Sequence, residues 1–277
     1  MEKVALKDIY DPNGILLISK GIKITEDKLS RLRRFGIEEE SITDVIATKD
    51  TLTQNKHPMY EEKAELDRAM RGFREKIRWI DPEVFDYCSK LLIQILFARQ
   101  TMWRMYMIGL ANYAEWIYAH SINVAVLSLM IGKKIGMKKE SLQTLALSAL
   151  LHDVGFLLVP KTAVIEMDKE DKREIFIEQH SELGKALLDE ISIDETCKKV
   201  VLQHHERLDG SGYPYGLSAD EISFFAKIVM IADTFDLDTS EKYYGGASSP
   251  EEAVFALQNS GNKFDPHLVA VLAGLLQ

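Results

Sequence analysis

Five of the seven histidines in this 277-residue chain sit where a metal ion could use them: His120, His152, His180, His204 and His205. His204 and His205 open the stretch Gln203-His204-His205-Glu206-Arg207-Leu208-Asp209-Gly210-Ser211-Gly212-Tyr213-Pro214-Tyr215-Gly216. An apolar run, Val200-Val201-Leu202, leads into it, and Gly210, Gly212, Pro214 and Gly216 break it into a loop. Side chains able to bind metal are thus followed by backbone that can approach a ligand closely. His152 is followed at once by Asp153, and Ile228-Val229-Met230-Ile231-Ala232 delivers Asp233. Taken singly, each of these residues is more often structural than functional. A histidine on an apolar face is usually a hydrogen-bonded core residue. Taken together, nitrogen and oxygen donors without thiolates suit Fe, Mn, Zn or similar ions rather than a structural zinc knuckle. One cation rarely uses so many ligands. Two cations bridged by Asp153 would, and paired metals are the usual machinery for in-line attack on phosphate esters. Metal-dependent phosphoester hydrolysis is therefore the leading reading, with a non-catalytic metal or nucleotide binder as its competitor.

The elements that must carry these residues are helical. The stretch 61–80 reads as a charged amphipathic helix stopped by Asp81-Pro82, and 83–109 as one long helix whose methionines pack in the core or a dimer interface. A helix over 113–135 carries His120 beside Ile117, Val124, Leu127 and Ile131. The next, 141–152, is apolar nearly all round through Leu145-Ala146-Leu147-Ser148-Ala149-Leu150-Leu151 and ends in His152-Asp153. A carboxylate delivered by a buried helix needs compensation, and a divalent cation would use both residues. The same signature recurs before His204-His205 and before Asp233. His180 lies on the polar-to-apolar border of a further helix. His57 and His267 adjoin prolines and read as surface residues.

Ahead of the helices, Val4 to Ile18 alternate around Asp11-Pro12-Asn13-Gly14, a turn signal between two strands. Thr25 reads as an N-cap, Leu29, Leu32 and Phe35 as a helical stripe, and Gly36 as a C-cap. A further strand is expected in 41–48. The composition is that of a globular protein: 46% hydrophobic, 28% charged, with 16 Gly and 7 Pro. A net charge of -9 argues against broad binding to nucleic acid, though bound cations can invert the local field for a small anion. Cys88 and Cys197 read as reduced, buried thiols. The start Met1-Glu2-Lys3 lacks an apolar signal region, and 91–110 is interrupted by Gln94, Arg99, Gln100 and Arg104, so a soluble cytoplasmic protein is expected.

His120, His152-Asp153-Val154-Gly155, His180, the stretch from His204 to Pro214 and Ala232-Asp233 closely resemble the HD-GYP domain, a branch of the HD metal-dependent phosphohydrolases. The similarity runs from about Tyr113 to Leu276 and takes in Thr239-Ser240, Lys242-Tyr243-Tyr244 and Phe264-Asp265-Pro266. It implies a mainly α fold, an all-helical HD-type bundle over 57–277, preceded by a small β-rich module over 1–56 with a regulatory or packing role. It also implies a phosphodiesterase that hydrolyses cyclic di-GMP to pGpG and/or GMP by a metal-bound hydroxide. Two divalent ions are expected, Fe or Mn first, with Zn, Mg, Ni or Co as alternatives. Carried over residue by residue, His120, His152, Asp153 and Asp233 would hold one metal. Asp153, the catalytic residue of the set, would bridge to a second metal held by His180, His204 and His205. Gly212, Tyr213, Pro214, Arg207, Asp236 and Lys242 would contact the substrate, a cyclic di-GMP or related nucleotide. Neither nucleic acid nor a membrane is an expected partner; a homodimer or a signalling-protein complex is.

Four positions depart from the family pattern. The motif lysine after His152-Asp153 is Phe156, the tryptophan after His-His-Glu-Arg is Leu208, and Lys242 stands where an arginine is usual. The glutamate that accompanies a third metal is replaced by Trp116, and Glu115 would point about 100° away, so two metals are expected. Phe156 also supports an alternative: a catalytically weakened cyclic di-GMP binding or sensor module. An HD hydrolase for another nucleotide is the other.

Overall fold

In the computed structural model, residues 66, 68–75, 77, 81–97, 102–160, 173–240 and 247–276 are described, with Leu32 and strand segments in 3–48. The chain divides into two compact units, Met1–Lys63 with Pro160–Asp168, and Ala64–Val159 with Lys169–Gln277. The second unit is helical and contains every residue of the candidate site that the structure describes.

That unit runs α1 (Pro82–Leu96), α2 (Met102–Tyr113), α3 (Glu115–Lys134), α4 (Lys139–Leu150), a 3-10 turn (Val154–Leu158), α5 (Arg173–Asp189), α6 (Glu195–Gln203), α7 (Phe224–Asp238), α8 (Pro250–Gln258) and α9 (Pro266–Leu275). Three of these begin with the same two-residue device. Asp81, Ser249 and Asp265 accept backbone N–H groups of the first turn, and each is followed by proline at the first helical position. Asp81-Pro82, expected to end one helix, therefore starts another. Ser249 and Glu252 complete a reciprocal capping box.

Helix α3 is the axis of the bundle. Its faces are buried from Ile117 through Gly132, against α1, α2, α4, α7 and α9. Such a helix cannot be amphipathic, which is why its sequence is apolar nearly all round. Helix α7 is buried in the same way from Ile228 to Asp233. The stretch Lys139–Leu158 is apolar and long enough to cross a membrane, at a mean hydropathy of 1.3, but 67% of it is buried inside the protein. It is a core segment here.

The fold differs from expectation in two places. The long helix over 83–109 is two helices: α1 stops at Leu96, where the N–H of Phe97 bonds to Ile93 and Ile95 carbonyls, and α2 starts at Met102. Of its methionines, Met107 is buried while Met102 and Met105 are exposed. Second, the β-rich module expected over 1–56 is not supported as a module: among the described residues only short strand segments and Leu32 fall there. Lys3–Ala5 pairs antiparallel with Lys23–Ile24 and with Ile46–Thr48, and Ile9–Tyr10 pairs with Leu16–Ile18. The turn at 11–14 and the helix expected after Thr25, Leu32 excepted, lie outside the described residues, as does His57. His267 is exposed, at the start of α9 rather than in a loop.

The 3-10 turn rests on α5 through two glycines. A Cβ at Gly155 would collide with the carbonyl oxygen of His180 and meet Gly184 N at 2.6 Å, and one at Gly184 would meet Val201 Cγ1 at 2.7 Å. Backbone against backbone has no rotamer to yield. Gly155→Ala is therefore expected to destabilise by about 1–3 kcal/mol or more. Gly72, exposed in a helix with nothing near its missing Cβ, is the control: Gly72→Ala should be neutral or stabilise by about 0.5–1 kcal/mol. Thermal denaturation of the two variants checks the contrast; equal melting temperatures would show that the glycine contact does not matter.

Candidate metal centre

Seven side chains converge in the middle of the bundle from five places in the chain. His120 comes from the middle of α3, His152 and Asp153 from the turn after α4, and His180 from α5. His204 and His205 follow α6, and Asp233 comes from α7. The sequence pattern placed Asp233 at a helix end, but α7 continues to Asp238, so it is presented from a helix side. All seven are buried or nearly so.

Their donor atoms form two groups, Asp153 with His180, His204 and His205, and His120 with His152 and Asp233, the atoms of each lying within 4.8 Å of one another. Asp153 stands between them. Its Oδ1 lies 3.3 Å from His180 Nε2 and 3.7 Å from His204 Nε2, and its Oδ2 3.4 Å from His152 Nε2 and 3.7 Å from His120 Nε2. Asp233 Oδ1 is 3.0 Å from His120 Nε2, and its Oδ2 is 3.7 Å from His205 Nδ1.

The donor set fits cations. His152 Nδ1 lies 2.7 Å from the Ala149 carbonyl and His204 Nδ1 2.8 Å from that of Val201. A carbonyl can only accept, so these Nδ1 atoms carry protons and Nε2 is the atom each ring turns inward. His120 is held from behind by Asp236 Oδ2 at 2.8 Å, and Asn123 donates to Asp236 Oδ1 at 3.1 Å. Facing Nε2 atoms stand 3.1 Å apart between His180 and His204, and 3.3 Å apart between His152 and His120. Two ring nitrogens this close require a shared proton or a metal between them.

Electrostatics make the same demand. Burial alone would raise the Asp153 carboxyl, but His152, His180 and His204 outweigh it and hold the group well below its ordinary range. Asp233 is likewise lowered against its burial, chiefly by the hydrogen bond and charge of His120. His120 itself, though burial lowers it, is pushed up to about 10 by hydrogen bonds to Asp233 and Asp236. Burial takes His152 down to about 4 and, with its histidine neighbours, lowers His205. The site thus keeps both carboxylates ionised and His152 and His205 neutral, as metal ligands must be, whereas His120 holds a proton that a cation would have to displace.

One wall is aromatic. Tyr213 stacks on His205 with centroids 4.7 Å apart, and burial pushes its phenol far above the usual value. Phe156, at the motif-lysine position, lies flat on His180 with centroids 4.5 Å apart and an 8° interplanar angle. The loop around Tyr213 depends on Glu206, which the sequence reading passed over. Its fully buried carboxylate accepts the backbone N–H groups of Tyr215 at 2.8 Å and Leu217 at 2.9 Å. Its only signal was an acid directly after two ligands and before a glycine-rich loop. A Cβ at Gly212 would collide with Arg207 N and Glu206 Cα, so the loop can close only over glycine there. Pro214 follows in the same loop. Arg207 donates to the Glu206 carbonyl at 2.9 Å and lies 5.0 Å over the Phe264 ring. Asp236, expected to touch substrate, is buried with its oxygens engaged by His120 and Asn123. Lys242 lies outside the described residues.

An HD domain family model matches residues 104–268. The chain belongs to the HD domain family. Among its curated relatives, a cyclic di-GMP phosphodiesterase of Pseudomonas aeruginosa is 29% identical over 164 residues, 58% of this chain and 40% of that protein. A 3'3'-cGAMP-specific phosphodiesterase of Vibrio cholerae is 32% identical over 155 residues, 55% of this chain and 34% of that one. The chain thus spans less than half the length of these relatives. A solved HDG"Y"P protein of Bdellovibrio bacteriovorus shares the fold, with a TM-score of 0.53 at 18% identity over 99% of this chain and 94% of that one.

Two substitutions test the centre. Asp153→Ala should leave fewer than two ions per chain by elemental analysis; retention of both would refute a bridging carboxylate. Asp236→Asn should weaken metal affinity about 10–100-fold in competition with a chelator, because His120 loses the charged acceptor that orients it. An unchanged affinity would reduce Asp236 to a packing role.

Proposed function

We propose that this chain is a two-metal cyclic di-GMP phosphodiesterase that opens the ring to pGpG and/or hydrolyses it on to GMP. The observation that carries the reading is Asp153, whose two oxygens face two separate ligand groups. His120, His152, Asp153 and Asp233 would hold one ion, and Asp153, His180, His204 and His205 the other. Paired divalent ions, Fe or Mn by preference, lower the pKa of bound water into the neutral range and neutralise charge on a phosphate diester. The chain's own residues do the rest. Asp236 and the Ala149 and Val201 carbonyls orient imidazoles, Glu206 holds the loop, and Tyr213 limits the pocket beside His205. Arg207, Gly212 and Pro214 belong to the same wall, and Lys242 would meet a phosphate. The relatives act on both cyclic di-GMP and 3'3'-cGAMP by name, which supports a cyclic dinucleotide as the substrate class. In this reading 57–277 is a cytoplasmic HD-GYP domain and 1–56 its regulatory module, working as a homodimer or with a signalling protein.

Phe156 favours a second reading, a module that binds cyclic di-GMP with little turnover. A ring packed flat on His180 supplies no cation to the phosphate. Incubating Fe- or Mn-loaded protein with cyclic di-GMP, and in parallel with 3'3'-cGAMP, should yield linear dinucleotide or mononucleotide. Absence of product from both would sink the enzymatic reading. Phe156→Lys should raise turnover about tenfold or more at unchanged metal content, since it adds a charge where negative charge develops. Equal rates would dismiss Phe156 as the limiting feature.

A further inference from the structure

Tyr215 is an aromatic side chain that is exposed yet fixed. The residue is 58% exposed. Its backbone N–H is held at 2.8 Å by the buried carboxylate of Glu206, and its hydroxyl donates to Glu182 Oε1 at 3.1 Å. Exposed tyrosines normally sample several rotamers; this one is tied at both ends. The tie joins the loop bearing Tyr213 to α5, which carries His180, so the ring spans the two elements that wall the Asp153–His180–His204–His205 group. Tyr215 lies two positions on from Tyr213, a step of no more than about 7 Å along the chain. Glu182 is exposed, and among the described residues its Oε2 accepts no hydrogen bond.

We propose that Tyr215 and Glu182 form a guanine subsite at the rim of the metal centre, the base stacking on the open face of the tyrosine and donating to Glu182 Oε2. Bases stack on aromatic rings regardless of identity, so the ring supplies affinity. The carboxylate supplies choice. It accepts only, and guanine presents N1–H and N2–H2 donors side by side, where adenine presents an acceptor at N1. A base lying on the ring with that edge toward the phenol end meets the free oxygen of the carboxylate that already holds the phenol. The inference rests on the cyclic dinucleotide reading and names the base it selects.

Binding of phosphorothioate analogues of cyclic di-GMP and cyclic di-AMP to metal-loaded protein, by calorimetry, tests it without turnover. Tyr215→Ala should weaken both analogues about 10–100-fold, while Tyr215→Phe, which keeps the ring, retains most of the affinity. Glu182→Gln should weaken the guanine analogue about tenfold and leave the adenine analogue unchanged. Elemental analysis should find equal metal in all four proteins, since neither side chain is a ligand. Unchanged binding by Tyr215→Ala would overturn the subsite, and so would equal damage from Phe and Ala, which would make the contact a strap only. Equal effects of Glu182→Gln on the two analogues would overturn the guanine preference. A wild-type protein that binds neither analogue would overturn the nucleotide reading and this inference with it; binding by wild type with no effect of the variants would overturn this inference alone.

Discussion

The whole helical unit is arranged around one unfavourable demand: two ionised carboxylates, Asp153 and Asp233, kept almost entirely out of water. Isolated charges in such surroundings would cost several kcal/mol each. The fold answers with five imidazoles and supporting contacts on both carboxylates, a donor set that could hold cations. Every long buried helix delivers part of that answer. Helix α3 brings His120, α7 brings Asp233 and Asp236 on one face, and α4 ends just before His152 and Asp153.

Delivery alone would not bring the groups within bonding range. The turn bearing Asp153 and Phe156 reaches α5 because Gly155 and Gly184 let two backbones touch, and the loop bearing Tyr213 closes because Gly212 lies on Glu206 and Arg207. None of these glycines has a positive φ. They are needed for the room they leave, which is a tertiary requirement. The neighbouring Gly210 and Gly216 do adopt positive φ and serve as turn residues.

This division explains what the sequence made legible. The residues that converge were readable because histidine and aspartate after apolar runs are chemically conspicuous, and the helices were readable because their periodicity is local. Less visible was everything that depends on who lies opposite. Asp236 looked like a substrate contact, since nothing in Asp233-Thr234-Phe235-Asp236 tells which carboxylate faces the pocket and which faces the back of His120. Glu206 looked like part of a motif rather than the anchor of a loop, because its partners are the N–H groups of Tyr215 and Leu217, which every residue type but proline offers. The break between α1 and α2 was hidden because both halves are apolar at helical spacing.

The hydrogen bonds behind His152 and His204 carry one more consequence. Each runs to the carbonyl three residues back, Ala149 O and Val201 O, in the last turn of α4 and of α6. Those carbonyls have no partner within their own helices. Two of the proposed ligands are therefore also the stoppers that keep their helices from fraying. In the proposed centre, replacing either histidine would remove a ligand and loosen a helix end together, so for these two positions a metal defect and a folding defect would be one event.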